Sequence, residues 1–209
     1  MKTLVFQGDS ITDSWRTGID DGNNLGRGYP NFIAGQLMGD QPEKGWNIIN
    51  RGISGNRIVD LYSRIKCDFI NLKPDYLTIL IGINDVWHEI GNRNGVDNDK
   101  FFRVYCNLIE EIRAMLPDIE IFILEPFVLK ASATEKSWGV FRKETLMRAE
   151  SARAVAEKYG LTFVPLQEKF DEAEKKACAS YWLGDGVHPT AAGHEIIANE
   201  VVKALEKKF

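Results

Sequence analysis

The chain has 209 residues, of which 44% are apolar and 27% charged, and a formal net charge of −4. This length suits one domain that buries about 70% of its unfolded surface, and the mild acidity lacks the basic excess on which nucleic-acid or membrane-surface binding depends. Nucleic acid and membrane are therefore not expected partners, and no apolar run approaches the roughly 18 residues of a membrane span. Cys67, Cys106 and Cys178 are odd in number and lack CxxC spacing, so neither a disulfide framework nor a metal site is expected and each reads as a small buried hydrophobe. Residues 1–8 are too poor in apolar side chains for a secretory leader, which points to a cytoplasmic protein.

In chain order, short apolar runs alternate with helix-period segments, the pattern of an α/β protein with a parallel sheet. The first strand is expected at residues 3–7 and leads directly into Gly8-Asp9-Ser10-Ile11-Thr12-Asp13. A glycine there permits a tight turn that presents the Ser10 hydroxyl at the carboxyl edge of the sheet. A loop rich in Gly, Asn and Asp is expected over residues 13–28. The second strand, residues 47–50, runs into Asn50-Arg51-Gly52-Ile53-Ser54-Gly55-Asn56, where Gly55 can offer a backbone N–H that no side chain screens. A helix follows over residues 57–70.

The third strand, residues 76–81, ends in Gly82-Ile83-Asn84-Asp85 and puts the Asn84 amide at the same edge; a second long loop is expected over residues 85–98. Phe101, Tyr105, Leu108, Ile112 and Met115 form one helical stripe. Strands at residues 120–124 and 162–165 flank a helix at 138–159, and residues 167–176 are amphipathic with a solvated charged face. The last helix carries Ile197, Val201, Ala204 and Leu205 on its inner stripe.

Just before that helix stands Asp185-Gly186-Val187-His188-Pro189-Thr190. A serine hydroxyl is a weak nucleophile until a base takes its proton. The three-residue spacing lets the Asp185 carboxylate hold one ring nitrogen of His188 while the other acts as base. Pro189 suits a first helical position and restricts His188. His194 falls inside the final helix and reads as structural, and His88 has no DxxH partner. Asp9, Asp13 and Asp85 read as turn anchors, while Arg16, Arg51 and Arg57 either contact substrate or pair with these acids. Of the aromatics Trp15, Trp87, Trp138, Tyr181 and Trp182, several stand near the expected site loops and could stack on a substrate ring; packing is the reading for each except Trp87 and Trp182, the candidates for substrate contact.

A doubly wound sheet of order 2-1-3-4-5 places the first strand between the second and third, which flanks Ser10 by Gly55 on one side and Asn84 on the other. No G-x-S-x-G, phosphate-binding glycine loop or HExxH occurs.

The blocks GDS at Gly8–Ser10, GISGN at Gly52–Asn56, GIND at Gly82–Asp85 and DxxHP at Asp185–Pro189, in register over most of the chain, resemble those of the SGNH (GDSL-type) hydrolase family. GDSITD, NRGISGN and ILIGINDVW are similar to its branch of acetyl xylan esterases and rhamnogalacturonan acetylesterases. The resemblance implies a flavodoxin-like three-layer α/β/α fold over residues 1–209, a Ser10–His188–Asp185 triad, and an oxyanion hole from the Ser10 and Gly55 N–H groups and the Asn84 side chain. It further implies a serine esterase acting on short-chain, chiefly acetyl, esters of small molecules or oligosaccharides, with no cofactor. Where some members of that branch have Trp directly before the catalytic Asp, this chain has Gly184, with Trp182 two residues earlier. A thioesterase, lysophospholipase or arylesterase with the same machinery, or a binding module without catalysis, are the alternatives, and self-association is left open.

Overall fold

The computed structural model describes residues 1–17 and 24–208. Five parallel strands form one sheet in the order β2-β1-β3-β4-β5: β1 Lys2–Gly8, β2 Trp46–Asn50, β3 Tyr76–Leu80, β4 Glu120–Leu124 and β5 Thr162–Val164. The register pairs Leu4 with Ile48 and Tyr76, and Thr78 with Phe122. Its central strands are buried on both faces, which is why they read as unbroken apolar runs.

Helices cover both faces. Leu4, Phe6, Ile48, Phe122 and Leu124 point into a core closed by α2 (Tyr29–Asp40), α8 (Gln167–Glu174) and α10 (Ala191–Leu205). The alternate residues Val5, Ile49, Leu77, Ile79 and Ile123 meet α3 (Ile58–Ser63), α6 (Asn98–Met115) and α7 (Trp138–Tyr159). Period-two alternation of side chains thus builds two cores, one on each side of the sheet. Four further helices, α1 (Ser10–Asp13), α4 (Ile65–Asp68), α5 (Ile83–Asn92) and α9 (Ala179–Trp182), lie in the connections. Among the described residues, no helix is long and apolar enough to cross a membrane.

The structure corrects four expectations. The segment expected as a loop over residues 85–98 is mostly α5, whose Ile83, Val86, Trp87 and Ile90 turn toward the core; only the residues between α5 and α6 form a loop. Within the expected loop at residues 13–28, residues 18–23 lie outside the described ones. The single helix expected over residues 57–70 is broken at Arg64, which ends α3 and caps α4. No helix was expected at α2, where Pro30 takes a first-turn position and Tyr29, Ile33, Ala34 and Leu37 are buried. Of the cysteines expected to be buried, only Cys106 is; Cys67 and Cys178 are exposed.

Candidate active site

The first βα corner is dictated by space. A Cβ on Gly8 would lie 2.2 Å from Thr12 Oγ1 and 2.5 Å from Leu80 O, and one on Gly52 would lie 2.3 Å from Asp13 N. Only glycines let the β1 and β2 exits approach this closely. Asp9 caps α1, its carboxylate accepting the Ile11 N–H at 2.9 Å, which presents Ser10 as the first residue of the helix. Asn50 ties the corner from the neighbouring strand, its amide donating to Thr12 O at 2.7 Å and to Leu25 O at 3.0 Å, while its Oδ1 accepts the Gly52 N–H at 2.9 Å.

The opposite corner carries His188. Asp185 Oδ1 accepts the backbone N–H groups of Val187 at 2.9 Å and His188 at 2.8 Å, and its Oδ2 accepts His188 Nδ1–H at 2.7 Å. The proton on Nδ1 leaves Nε2 as an acceptor, and Ser10 Oγ–H donates to it at 2.9 Å. Gly186, at φ +100°, lets the loop pass against residues 129–134: a Cβ there would sit 2.6 Å from both Leu129 O and Thr134 Oγ1. Leu129 N–H donates to Gly186 O and Ala133 N–H to Asp185 O, each at 2.9 Å.

Charge follows geometry. Burial alone would raise the Asp185 carboxyl, but the hydrogen bond from the His188 ring and those from two backbone N–H groups outweigh it and hold the group at about 2. His188 is raised above its ordinary value, first by the hydrogen bond to Asp185, with burial opposing and the charges of Asp185 and Asp9 assisting. Asp9 is fully enclosed, and burial pushes its carboxyl up to about 7 against the Ile11 hydrogen bond. Asp85 is likewise raised to about 7 by burial; its carboxylate accepts the Ile58 N–H at 3.1 Å and so fixes the start of α3.

Ser10, Gly55, Asn84, Trp87 and His188 line one cavity of about 1080 Å³. Gly55, at φ +83°, has nothing within 4 Å of where a Cβ would be, so its surroundings are open. Asn84, buried at the start of α5, donates one amide hydrogen to Asn56 O at 3.2 Å and retains a second. The Trp87 ring lies 5.9 Å from the His188 ring and 5.9 Å from Phe141. His88 and His194 line the same cavity.

Trp182 does not line it. Its indole N–H donates to Ala177 O at 3.3 Å and its ring packs edge-on against Tyr181 at 4.9 Å, because the bridge from Leu183 to Pro189 folds this segment back on itself. Of the three arginines, Arg16 pairs with one of the expected acids, Asp13, at 3.5 Å and also lines the cavity, whereas Arg51 and Arg57 pair with acids outside that set, Asp68 at 3.8 Å and Asp60 at 2.9 Å.

Arg64 escaped the sequence reading, and Trp15, read there as a packing residue, lies at the site instead. Arg64 donates to Asn56 Oδ1 at 2.9 Å, to Arg51 O at 2.9 Å, to Asp68 at 2.7 Å and to Gly8 O at 3.3 Å. It thereby joins the β1 exit to the loop that carries Gly55. Trp15 lines the cavity and is 83% exposed. The pairing of Arg64 with Asp68 has the local i,i+4 spacing, but nothing local marks its reach to Arg51 O and Gly8 O, 13 and 56 positions away.

The model of the GDSL-like Lipase/Acylhydrolase family matches residues 6–196. An acetylxylan esterase of Geobacillus stearothermophilus is 32% identical over 209 residues, covering 97% of this chain and 93% of that protein. Its structure, as Axe2, superposes with a TM-score of 0.85 at 31% identity, covering 98% of this chain and 94% of that one. A GDSL-like lipase structure from Parabacteroides merdae gives a TM-score of 0.91 at 35% identity, covering 98% and 95%. Catalytic mutants of Axe2 replace a serine, an aspartate and a histidine.

Proposed function

Because the chain belongs to the GDSL-like lipase/acylhydrolase family and is a carboxylic ester hydrolase, we propose that it removes short-chain, chiefly acetyl, groups from carbohydrates such as xylo-oligosaccharides through an acyl-enzyme on Ser10. The observation that carries the mechanism is the continuous relay from Asp185 to His188 at 2.7 Å and from His188 to Ser10 at 2.9 Å, opening into one cavity. The acetyl-carbohydrate assignment is supported by the acetylxylan esterase relative.

In the first half-reaction His188 Nε2 takes the Ser10 Oγ proton as the oxygen attacks the ester carbonyl carbon. The carbonyl π electrons move to oxygen, and the oxyanion is met by the Ser10 N–H, the Gly55 N–H and the remaining Asn84 amide hydrogen; each such donor is worth about 10²–10³ in rate. Asp185 stabilises the imidazolium formed. Collapse breaks the acyl C–O bond, and the leaving alcohol takes its proton from Nε2. In the second half a water gives its proton to Nε2 and attacks the acyl-serine. The second tetrahedral intermediate expels the Ser10 oxygen, which recovers the proton, and acetate leaves.

Acyl range tests the substrate assignment. Acetyl, butyryl and octanoyl esters of one alcohol, then acetylated xylo-oligosaccharides against acetyl-CoA, are compared by kcat/KM. Acetyl esters and acetylated sugars should rank first; dominance of octanoyl esters or of the thioester would overturn it.

A further inference from the structure

We infer that the Trp15 indole is a stacking platform for a neutral sugar ring in the alcohol portion of the substrate, and so decides between carbohydrate esters and other acyl donors. The inference rests on the carbohydrate-esterase reading above and goes further by naming a residue that selects the carbohydrate.

Trp15 is held in an unfavourable place for its type. It has a left-handed backbone at φ +64°, directly after Ser14 at φ +40°, a conformation that L residues other than glycine adopt at a cost. The turn that imposes it is fixed from several sides. Ser14 N–H donates to Ser10 O at 2.9 Å, Arg16 N–H to Asp13 O at 3.1 Å and Arg27 N–H to Ser14 O at 2.8 Å. Arg16 Nε donates to Gly52 O at 2.8 Å. His194 adds a contact from α10: its Nδ1 accepts the Tyr29 N–H at 3.1 Å, which leaves Nε2–H to face Ser14 Oγ at 3.4 Å. Burial lowers His194 to about 4, so that tautomer persists at neutral pH.

None of these contacts uses the indole. The largest side-chain type is instead presented to solvent, 83% exposed, on the rim of the cavity that holds Ser10 and His188. A glycine would satisfy the turn better, so packing gives no reason for tryptophan, whereas a ligand ring does.

The cavity's chemistry selects the ligand. Its volume of about 1080 Å³ far exceeds the needs of an acetyl group and admits a sizeable alcohol portion. Ser14, Ser54 and Asn92 place two hydroxyls and an amide in a lining that also carries Ile11, Trp87 and Pro189, so polar partners for a hydroxyl-rich ligand stand beside apolar surface for the C–H face of a ring. An acyl-CoA could also stack its adenine on Trp15, but its phosphates need accessible cations. Among the described residues, Arg16 is the arginine in the lining, and its side chain is only 4% exposed and ion-paired to Asp13. A neutral pyranose, stacking through its C–H face and bonding through its hydroxyls, fits both the platform and this mixed wall.

The test compares wild type with Trp15→Gly, which suits the backbone, and Trp15→Tyr, which keeps a ring. The ratio of kcat/KM for acetylated xylotetraose to that for methyl acetate should fall about tenfold in Trp15→Gly, mainly through KM, and stay within about threefold in Trp15→Tyr. On a Ser10→Ala background, unacetylated xylotetraose should perturb tryptophan fluorescence, and Trp15→Gly should abolish the signal. A ratio within about twofold of wild type in Trp15→Gly overturns the platform alone, as does a dimer that dissociates on that substitution with the ratio unchanged. An equal fall for acetyl-CoA overturns the sugar assignment of Trp15. A wild-type protein that cleaves methyl acetate but not acetylated xylotetraose overturns the platform together with the carbohydrate reading.

Discussion

The corner at residues 8–13 and the corner at residues 184–189 bring a hydroxyl and an imidazole to 2.9 Å, and they are held by different forces. The serine corner is a packing solution: Asp9 and Thr12 are buried, and neither Gly8 nor Gly52 has room for a methyl group. The histidine corner is half open, with side-chain exposures of 44% for His188 and 32% for Asp185, and one carboxylate organises it through three hydrogen bonds. The same residue type is tuned oppositely in the two places. Asp9, enclosed and without a side-chain donor comparable to the His188 ring, is pushed up to about 7, while Asp185 is held at about 2. Position on the serine side is thus set by shape, and on the histidine side by charge and hydrogen bonding.

Substitutions that touch one force and spare the other sharpen this contrast. The largest effect is expected from Asp185→Asn. The amide oxygen can still accept the Val187 and His188 N–H groups, but the amide NH₂ cannot accept Nδ1–H, so the tautomer reverses and kcat/KM should fall about 10³–10⁴-fold. The proposed mechanism needs neutral His188, whose pKa is raised above its ordinary 6.5 chiefly by the hydrogen bond to Asp185. The acid limb of the pH profile should therefore lie above that value in wild type and move toward acid in Asp185→Asn, with little change in Tm. A limb that stays in place would break the comparison.

Gly52→Ala is the smaller, complementary case. The new methyl would lie 2.3 Å from Asp13 N, a backbone atom that must shift. Overpacking of this kind costs about 1–3 kcal/mol, or about 2–4 °C in Tm for each kcal/mol at this chain length. The acid limb should not move. Thermal unfolding within about 1 °C of wild type would show that shape does not hold this corner.

What was legible in the sequence follows the same division. The strands are found within two residues because burial on both faces makes the central ones apolar runs, and the motif residues sit at strand exits, where order 2-1-3-4-5 brings their loops together. The helix α2 was missed because Pro30, Gly35 and Gly39 resemble a loop, although Tyr29, Ile33, Ala34 and Leu37 keep helical spacing. In α5 the Asn and Gly content concealed the stripe of Val86, Trp87 and Ile90. The break at Arg64 and the grip of its guanidinium on Gly8 O, Arg51 O and Asn56 depend on long-range contacts that leave no local trace. Trp182 looks close to the site because it stands near Asp185 in sequence, yet the Leu183–Pro189 bridge sends it elsewhere. Trp15 carried a signal that sequence cannot show, a left-handed backbone under a bulky side chain.

The most direct test of the central claim is covalent trapping of the nucleophile. Wild-type protein, Ser10→Ala and His188→Ala are treated with diisopropyl fluorophosphate and followed by intact mass and peptide mapping. The account predicts a single adduct on Ser10 in wild type, formed in step with loss of esterase activity, slowed strongly in His188→Ala and absent in Ser10→Ala, which should also lack turnover of p-nitrophenyl acetate. An adduct on another residue, or esterase activity retained by Ser10→Ala, would contradict it.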